Sequence, residues 1–240
     1  MSSIANDNVL ITGAAKGIGA AVARACVGAG ARVGVLDTDS GAAEALVAEL
    51  GNEVALALPA SVSNYDEVAA AADALRAEFG PITGLVANAG IAQYALMSEG
   101  DPESWRRLLE VNVLGAAYAV RAVVGPMKEA EKGHIVLMSS IAGREAWVGE
   151  PIYIASKHAM VGMGHSLRKE CAEHRVGVTL VEPAIVDTPL VRSTEEGRDE
   201  LDRYAALDPA DVGRAVVFAL EQPPGVGVSE LVLRALGPEA

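Results

Sequence analysis

A glycine-rich turn between a short apolar stretch and an alanine-rich stretch constrains the fold of this chain more than any other feature. Residues 9–12 predict a buried strand, and the sequence TGAAKGIGA then leads into a helical pattern that extends to about Gly28. Gly13 permits a tight turn, Gly17 lets a ligand approach the backbone, and Gly19 lets the helix lie close to the strand. Because such a helix exposes its first amide groups to a pyrophosphate, the pattern predicts a dinucleotide-binding unit; an ordinary glycine turn is the alternative.

The rest of the chain alternates apolar strands with amphipathic helices, which is typical of a parallel sheet covered by helices. Further strands are predicted at residues 32–36, 53–58, 82–87, 134–138, 177–181 and 229–233. Helices are predicted at residues 41–50, 65–79, 102–131 and 209–220, and another begins at Pro151 and meets no helix breaker before Gly162. The predicted fold class is α/β: one Rossmann domain over residues 1–240, with a doubly wound parallel sheet of about seven strands and helices on both faces.

The charge and the composition of the chain exclude several classes of partner and site. A formal net charge of -13 argues against nucleic acid and anionic membranes as partners. Arg121 interrupts the best candidate for a membrane span, residues 111–127, and the stretch 1–13 lacks the pattern of a signal peptide. Cys26 and Cys171 lie in helical patterns, so we expect no disulfide framework and a cytoplasmic protein. The four histidines form no metal-ligand motif, so no metal site is predicted.

A tyrosine and a lysine four residues apart follow the predicted strand at 134–138. On a helix that begins at Pro151, the spacing of Tyr153 and Lys157 puts both side chains on one face. A nearby ammonium favours the phenolate, and so lowers the pKa of a phenol from its usual value of about 10. Ser140, at the end of the strand, can hold the oxygen with which Tyr153 exchanges a proton. Such tyrosine–lysine pairs are common, so the pair alone does not establish catalysis.

Asp37 and Lys16 give opposite indications of cofactor preference. Asp37 ends the second strand, where an acidic side chain accepts hydrogen bonds from ribose hydroxyls and repels the 2′-phosphate of NADP. Lys16 lies inside the glycine turn and can pair with that phosphate. Because Thr38 stands where a second basic residue would favour NADP, we expect NAD as the preferred cofactor, with NADP as the alternative.

Three more segments are of functional interest. Asn88, Ala89 and Gly90 follow a strand directly, and small residues there suit a backbone packed against a cofactor. Asn112, in the middle of a mostly apolar helical pattern, is on that pattern alone a packing residue rather than a catalytic one. Residues 187–206 are polar and charged, which fits a mobile substrate lid or a merely solvated helical insertion.

Together these motifs resemble the short-chain dehydrogenase/reductase family over residues 9–233. The resemblance rests on TGxxxGIG at residues 12–19, NAG at 88–90, Ser140, and YxxxK at 153–157. It implies that Tyr153 is the general acid and base, that Lys157 lowers its pKa and holds the nicotinamide ribose, and that Ser140 orients the substrate oxygen. Asn112 then matches the position that supports Lys157 through water, which replaces its interpretation as a packing residue.

The resemblance also implies which residues surround the two ligands. The implied cofactor-binding residues are Gly13, Lys16, Gly17, Ile18, Gly19, Asp37, Ser61, Val62, Asn88, Ala89, Gly90, Tyr153, Lys157, Pro183, Ile185 and Thr188. A mostly apolar pocket for a medium-sized secondary alcohol or ketone is expected from Gln93, Tyr94, Ser140, Trp147, Ile185 and Leu190. Arg144 and Arg192 can hold a substrate carboxylate or form ordinary exposed salt bridges.

Three departures from the family pattern stand out. Ser61 occupies the position of an aspartate that usually bonds adenine, and Ala184 replaces the usual glycine after Pro183. The stretch at residues 229–234 lacks the usual glycine-rich close, and resembles a branch that includes clavaldehyde reductase and related small-ketone reductases.

The predicted function is therefore an NAD(P)-dependent oxidoreductase that interconverts a secondary alcohol and a ketone. One alternative is an NADPH-dependent 3-oxoacyl or aldehyde/ketone reductase of a biosynthetic pathway. An alternative of another class is a non-catalytic dinucleotide-sensing protein, which predicts a damaged serine, tyrosine or lysine, whereas all three residues are intact. The family resemblance further implies a homotetramer or a homodimer.

Overall fold

The structure is a computed structural model that describes residues 3–237 of the chain. Residues 1–2 and 238–240, which include both ends of the predicted domain, lie outside the described residues.

Seven parallel strands form one sheet within the described part of the chain. They are β1 (Asn8–Thr12), β2 (Arg32–Asp37), β3 (Ala55–Pro59), β4 (Gly84–Ala87), β5 (Gly133–Met138), β6 (Val176–Pro183) and β7 (Glu230–Leu233). Their order is β3-β2-β1-β4-β5-β6-β7, so the direction of winding reverses between β1 and β4. Open α/β sheets bind ligands beyond the carboxyl ends of the strands at such a switch point. The predicted doubly wound fold is confirmed.

Helices connect the strands. They are α1 (Gly17–Gly28), α2 (Ser40–Leu50), α3 (Tyr65–Phe79), α4 (Pro102–Leu109), α5 (Gly115–Glu129), α6 (Pro151–Ala172), α7 (Pro189–Arg192), α8 (Glu195–Arg203) and α9 (Pro209–Leu220). A π-helical turn, Glu110–Leu114, joins α4 to α5, and a 3₁₀ turn, Ile141–Gly143, follows β5. Gly162 does not interrupt α6, and a glycine inside so long a helix costs only about 1 kcal/mol relative to alanine.

Two hydrophobic clusters cover the two faces of the sheet. Val9 and Ile11 of β1 belong to the cluster that includes Val212 of α9, whereas Leu10 belongs to the opposite cluster with Met160 of α6. Neighbouring side chains of a strand point to opposite faces, so a strand covered on both faces is apolar throughout. Cys26 and Cys171 are free, buried thiols, one in each cluster.

One helical run among the described residues, Pro102–Glu129, is long and apolar enough by length and composition to cross a membrane, in spite of Arg121. The core helix of a protein that spans no membrane can pass the same test. In the most apolar 18-residue window of this run, 44% is buried inside the protein. Val120, Val123 and Met127 of this run belong to the cluster under the sheet.

Candidate active site

The glycine turn after β1 has the geometry that its sequence predicts. Gly13 and Gly17 have φ angles of 62° and 54°, in the left-handed region that favours glycine. A Cβ atom on Gly13 would lie 2.7 Å from the Cα atom of Ala89, and one on Gly19 would lie 2.1 Å from the carbonyl oxygen of Gly13. The turn is therefore packed too closely for side chains at these two positions.

Asn88 and Thr12 join this turn to the end of β4. The Asn88 amide nitrogen Nδ2 donates hydrogen bonds of 3.0 Å to the carbonyl oxygens of Thr12 and Gly13. The Thr12 hydroxyl accepts hydrogen bonds, also of 3.0 Å, from the backbone N–H groups of Asn88 and Ala89. Two strand ends on either side of the switch point are thereby held together.

Asp37 and Lys16 occupy different environments at the rim of the turn. The Asp37 carboxylate accepts hydrogen bonds of 3.0 Å from the backbone N–H groups of Ala15 and Asp39, which hold it beside the turn. Lys16 Nζ lies 2.6 Å from Asp39 Oδ2, in an exposed ion pair that involves no atom of Asp37. The acid that is predicted to favour NAD is thus fixed beside the turn, while the cation that is predicted to favour NADP is paired with Asp39.

Ser61 and Val62 follow β3. The Ser61 hydroxyl accepts a hydrogen bond of 3.3 Å from the backbone N–H of Ser63, and the backbone N–H of Ser61 donates to Glu67. Val62 is buried, and a Cβ atom on Gly115 would lie 2.7 Å from its side chain. Gly115 therefore lets α5 approach this predicted cofactor-binding segment closely.

Ser140, Tyr153 and Lys157 meet at the carboxyl end of β5. Ser140 Oγ donates a hydrogen bond of 3.4 Å to the Pro183 carbonyl oxygen, and it lies near enough to Tyr153 to favour the ionised phenol. The buried Lys157 ammonium lies 5.6 Å from the centre of the Tyr153 ring and donates a hydrogen bond of 3.1 Å to the carbonyl oxygen of Met138.

The pKa values of Tyr153 and Lys157 in the structure differ from those that the sequence predicts. The pKa of Tyr153 is raised to about 12, by burial and then by the negative charge of Glu150, against which the hydrogen bond from Ser140 acts. Burial lowers the pKa of Lys157 to about 8. In the structure Lys157 does not lower the pKa of Tyr153, because its ammonium is itself disfavoured by burial and bonds to the Met138 carbonyl. That Lys157 lowers this pKa together with a nicotinamide ring stays a prediction.

Asn112 lies in the π-helical turn and holds two segments together. Its Oδ1 accepts a hydrogen bond of 2.8 Å from the backbone N–H of Ile91, and its Nδ2 donates to the Ile91 carbonyl and to Ser156 Oγ, at 2.9 and 3.1 Å. A Cβ atom on Gly90 would lie 3.4 Å from Asn112 Oδ1 and 3.8 Å from Lys157 Nζ. Asn112 thus lies on the same side of Gly90 as Lys157, and its side chain is bonded to other groups; a role through water stays a prediction.

The segment after β6 closes over the glycine turn. Thr188 is buried, its hydroxyl accepts a hydrogen bond of 3.4 Å from the backbone N–H of Val191, and its side chain would lie 3.4 Å from a Cβ atom on Gly17. Leu207 donates its backbone N–H to the Ile185 carbonyl and accepts from the N–H of Asp187, at 2.9 and 3.0 Å. The segment predicted as a lid therefore starts and ends at one hydrogen-bonded base.

The remaining predicted substrate residues fall into two groups. Leu190 of α7 is 45% exposed, beyond the carboxyl end of β6. Tyr94 and Trp147 lie in the loops after β4 and β5, which are joined by a hydrogen bond of 2.6 Å from the Ala95 N–H to the Gly149 carbonyl. Gln93 Oε1, in the first of these loops, is a buried oxygen with no hydrogen-bond partner among the described residues.

Two glutamates that the sequence analysis missed lie against these loops. Trp147 Nε1 donates a hydrogen bond of 2.6 Å to Glu150 Oε2, and the Tyr94 hydroxyl donates one of 3.0 Å to Glu200 Oε2. The pKa of Glu150 is raised to about 7, by burial and further by the charge of Glu200. The sequence contains one signal for Glu150, which is its position directly before Pro151 and three residues before Tyr153. Nothing in the sequence pairs Glu200 with Tyr94.

Arg144 and Arg192 form salt bridges. Arg192 Nε lies 2.5 Å from Asp187 Oδ1, and Arg144 Nε lies 2.5 Å from Oε2 of the buried Glu182, with Glu230 as a second partner of Arg144. Of the two interpretations that the sequence leaves open, the structure favours the structural one for both residues.

Comparisons with known proteins agree with this architecture. The sequence pattern of the family described as short chain dehydrogenase matches residues 7–199. The chain belongs to the short-chain dehydrogenase family. This short-chain dehydrogenase is 32% identical over 237 residues to an uncharacterized oxidoreductase of Staphylococcus saprophyticus, a match that covers 98% of this chain and 99% of the relative. An uncharacterized oxidoreductase of Staphylococcus aureus strain MW2 is 30% identical, with the same shares covered.

A solved structure is also similar to this short-chain dehydrogenase. It is the crystal structure of a 3-ketoacyl-(acyl-carrier-protein) reductase from Brucella melitensis complexed with NADH. The TM-score is 0.88 and the sequence identity 30%, and the similarity covers 96% of this chain and 98% of the other.

Proposed function

We propose that this short-chain dehydrogenase interconverts a secondary alcohol and a ketone by hydride transfer with a nicotinamide cofactor. The observation that carries the proposal is the grouping of Ser140, Tyr153 and Lys157 next to Gly90, at the switch point of the sheet. A dinucleotide-sensing protein needs no such grouping, so the enzyme is the better supported of the two classes.

The residues present fit a dinucleotide. Gly13 and Gly17 bring backbone rather than side chains to the start of α1, and Lys16, the N-cap residue of α1, makes no side-chain capping bond to the helix. The first amides of α1 are therefore available to a pyrophosphate, and Asp37 lies where it can accept hydrogen bonds from a ribose. When bound there, a nicotinamide cofactor accepts or supplies a hydride.

The chain itself contributes the proton and the orientation of the substrate. In this proposal Ser140 Oγ holds the substrate oxygen beside the phenol of Tyr153, because the Ser140 hydroxyl lies near enough to the phenol to influence its pKa. As the phenolate, Tyr153 takes the hydroxyl proton of the alcohol in the oxidation, and as the phenol it donates that proton to the ketone oxygen in the reduction. Lys157 keeps a positive charge near the phenol, from a position fixed by the Met138 carbonyl.

Asp37 provides a test of cofactor preference. Replacing Asp37 by alanine removes the hydrogen-bond acceptor for the ribose and the negative charge that repels a 2′-phosphate. We expect the ratio of kcat/KM with NAD to kcat/KM with NADP to fall by roughly tenfold or more, the equivalent of one charged hydrogen bond. Asp73→Ala, which removes an exposed acid of α3, is the control and should leave the ratio unchanged. An unaltered ratio in Asp37→Ala would refute the assignment.

Two kinds of substrate compete within this reaction class. The similarity to the Brucella melitensis reductase supports a 3-oxoacyl substrate carried by an acyl-carrier protein, which the name of that enzyme states. A net charge of -13 on this chain would repel an acidic carrier. We therefore place medium-sized secondary alcohols and ketones first, with NAD and the oxidation as the working direction; the resemblance to the small-ketone branch stays a prediction.

The decisive experiment follows the absorbance of reduced nicotinamide with both cofactors, against secondary alcohols, ketones and a 3-oxoacyl thioester. We expect turnover of a secondary alcohol or its ketone. Turnover of the thioester alone would favour the 3-oxoacyl alternative. Dinucleotide binding without turnover of any compound would favour the sensing protein instead.

Assembly and location are also proposals. We propose a cytoplasmic homotetramer or homodimer that binds neither nucleic acid nor membranes, and the charge of -13 supports the second part. Light scattering of the purified protein distinguishes the dimer from the tetramer and from a monomer.

A further inference from the structure

Glu150 is placed unusually for an acid at the start of a helix. It is the N-cap residue of α6, where an acidic side chain ordinarily accepts hydrogen bonds from the first backbone amides, yet it makes no such capping bond. Its carboxylate is instead bonded to Trp147 Nε1 at 2.6 Å, and the residue is only 3% exposed. A buried carboxylate that does not cap its helix lacks the stabilisation that the capping hydrogen bonds provide. The position of Glu150 therefore indicates another role.

The surroundings of Glu150 contain acids and phenols. Tyr153 follows three residues later on the same helix, and the charge of Glu150 opposes the ionisation of both Tyr153 and Tyr94. Glu200 of α8 faces the group from the other side through its hydrogen bond with Tyr94, and its charge acts on Glu150 as well. Among the ion pairs of residues 3–237, none includes Glu150 or Glu200.

We propose that Glu150 is a positioning residue of the active site, whose carboxylate, buried at the start of α6 and held by Trp147, sets the pH at which Tyr153 exchanges its proton. The proposal deepens the proposed function and rests on it for its catalytic meaning. The negative charge of Glu150 favours the protonated phenol, so Tyr153 becomes a base for the oxidation only at higher pH and remains a proton donor for the reduction below that pH.

The effect depends on pH in a definite direction. Glu150, with a pKa raised to about 7, gains its charge as the pH rises through neutrality, and the phenolate of Tyr153 is disfavoured above that point. Ser140 and Lys157 also lie beside Tyr153. Neither changes the sign of the expected shift, because both residues are the same in Glu150→Gln as in the wild type. Removing the charge of Glu150 should therefore lower the pH at which Tyr153 ionises.

The test is a pH titration of the free protein by carbon NMR of labelled tyrosine Cζ atoms, with the Tyr153 signal assigned through Tyr153→Phe. In Glu150→Gln we expect the midpoint of the Tyr153 titration to fall by roughly one pH unit. Where the titration is incomplete, the expected result is about tenfold more phenolate at the highest pH at which both proteins keep their circular dichroism spectrum. Glu145→Gln, which removes an acid of the same loop that is paired with Arg234, is the control and should leave the midpoint unchanged. An unchanged midpoint in Glu150→Gln, or an equal shift in the control, overturns the proposal.

Trp147→Phe gives a second result that does not need Glu150→Gln to fold. Losing the indole donor raises the pKa of Glu150, so the small inflection of the Tyr153 signal near neutral pH should move upward. A Tyr153 signal without that inflection, or one that Trp147→Phe leaves in place, counts against the proposal. With substrate, the acidic limb of the pH profile of kcat/KM for oxidation, on which the rate rises as Tyr153 ionises, should move to lower pH in Glu150→Gln. A lower rate without this movement overturns the proposal and indicates a merely structural role. Since the NMR titration requires no turnover, it can fail or succeed independently of the proposed function.

Discussion

Tyr153→Phe is expected to lower kcat for alcohol oxidation by about a hundredfold to ten thousandfold, the range that a general acid or base contributes. Phenylalanine keeps the ring beside Lys157 but removes the hydroxyl that lies near Ser140. The proton of the alcohol then has no acceptor in the chain at the reacting oxygen. The measurement is steady-state turnover, together with NADH binding by fluorescence, which should remain close to that of the wild type.

Tyr118→Phe is the matched control for this variant. Tyr118 lies in α5 with its ring packed edge-on against Tyr65 of α3, at a centroid distance of 5.7 Å. Its loss of one hydroxyl should leave kcat nearly unchanged. Near-normal turnover of Tyr153→Phe would rule out the proposed proton transfer, whereas loss of NADH binding in the same variant would make its inactivity uninformative and require Ser140→Ala as the replacement test.

Gly19→Ala should produce the largest effect on cofactor binding and stability. The new Cβ atom would lie 2.1 Å from the carbonyl oxygen of Gly13 and 2.8 Å from Asn88 Nδ2, so the backbone of the turn must move. Overpacking of this kind costs about 1–3 kcal/mol and sometimes more. We expect a lower free energy of unfolding in urea and at least a tenfold weaker binding of NADH, because the same movement displaces the amides at the start of α1.

Gly28→Ala provides a control on the same helix. A Cβ atom on Gly28 meets nothing within 4 Å, and alanine is favoured over glycine in a helix by about 1 kcal/mol. This variant should be as stable as the wild type or slightly more stable, with unchanged NADH binding. If Gly19→Ala behaved in the same way, the close packing of α1 on the glycine turn would be contradicted.

The fold was predictable because its signals are local. An apolar run of four to six residues identifies each strand, and the residues that begin helices are read directly from the sequence, as at Pro151 and Pro209. The predicted helices 65–79 and 209–220 match α3 and α9 to the residue. The π-helical turn at Glu110–Leu114 was not predicted, since its insertion into a continuous apolar pattern leaves no break in composition.

The active site was predictable only where a motif spans a few residues. The spacing of Tyr153 and Lys157 fixes their common helix face, but burial decides their pKa values, and burial depends on segments far away in the sequence. Glu200, for example, reaches Tyr94 across 106 residues of chain. The partner of Lys16 was missed for the same reason, because Asp39 becomes its neighbour only when β2 pairs with β1.

The hydrogen bonds of Leu207 with Ile185 and Asp187 make the intervening segment a loop with a fixed stem. Its two ends meet in the same place whatever lies between them, and doubling the length of such a loop costs only about 0.6 kcal/mol in closure entropy. Evolution can therefore lengthen, shorten or replace α7 and α8 without disturbing the seven strands. The predicted substrate lid is in that sense a separable module, and grafting the corresponding loop from a relative onto this scaffold tests whether the lid determines specificity.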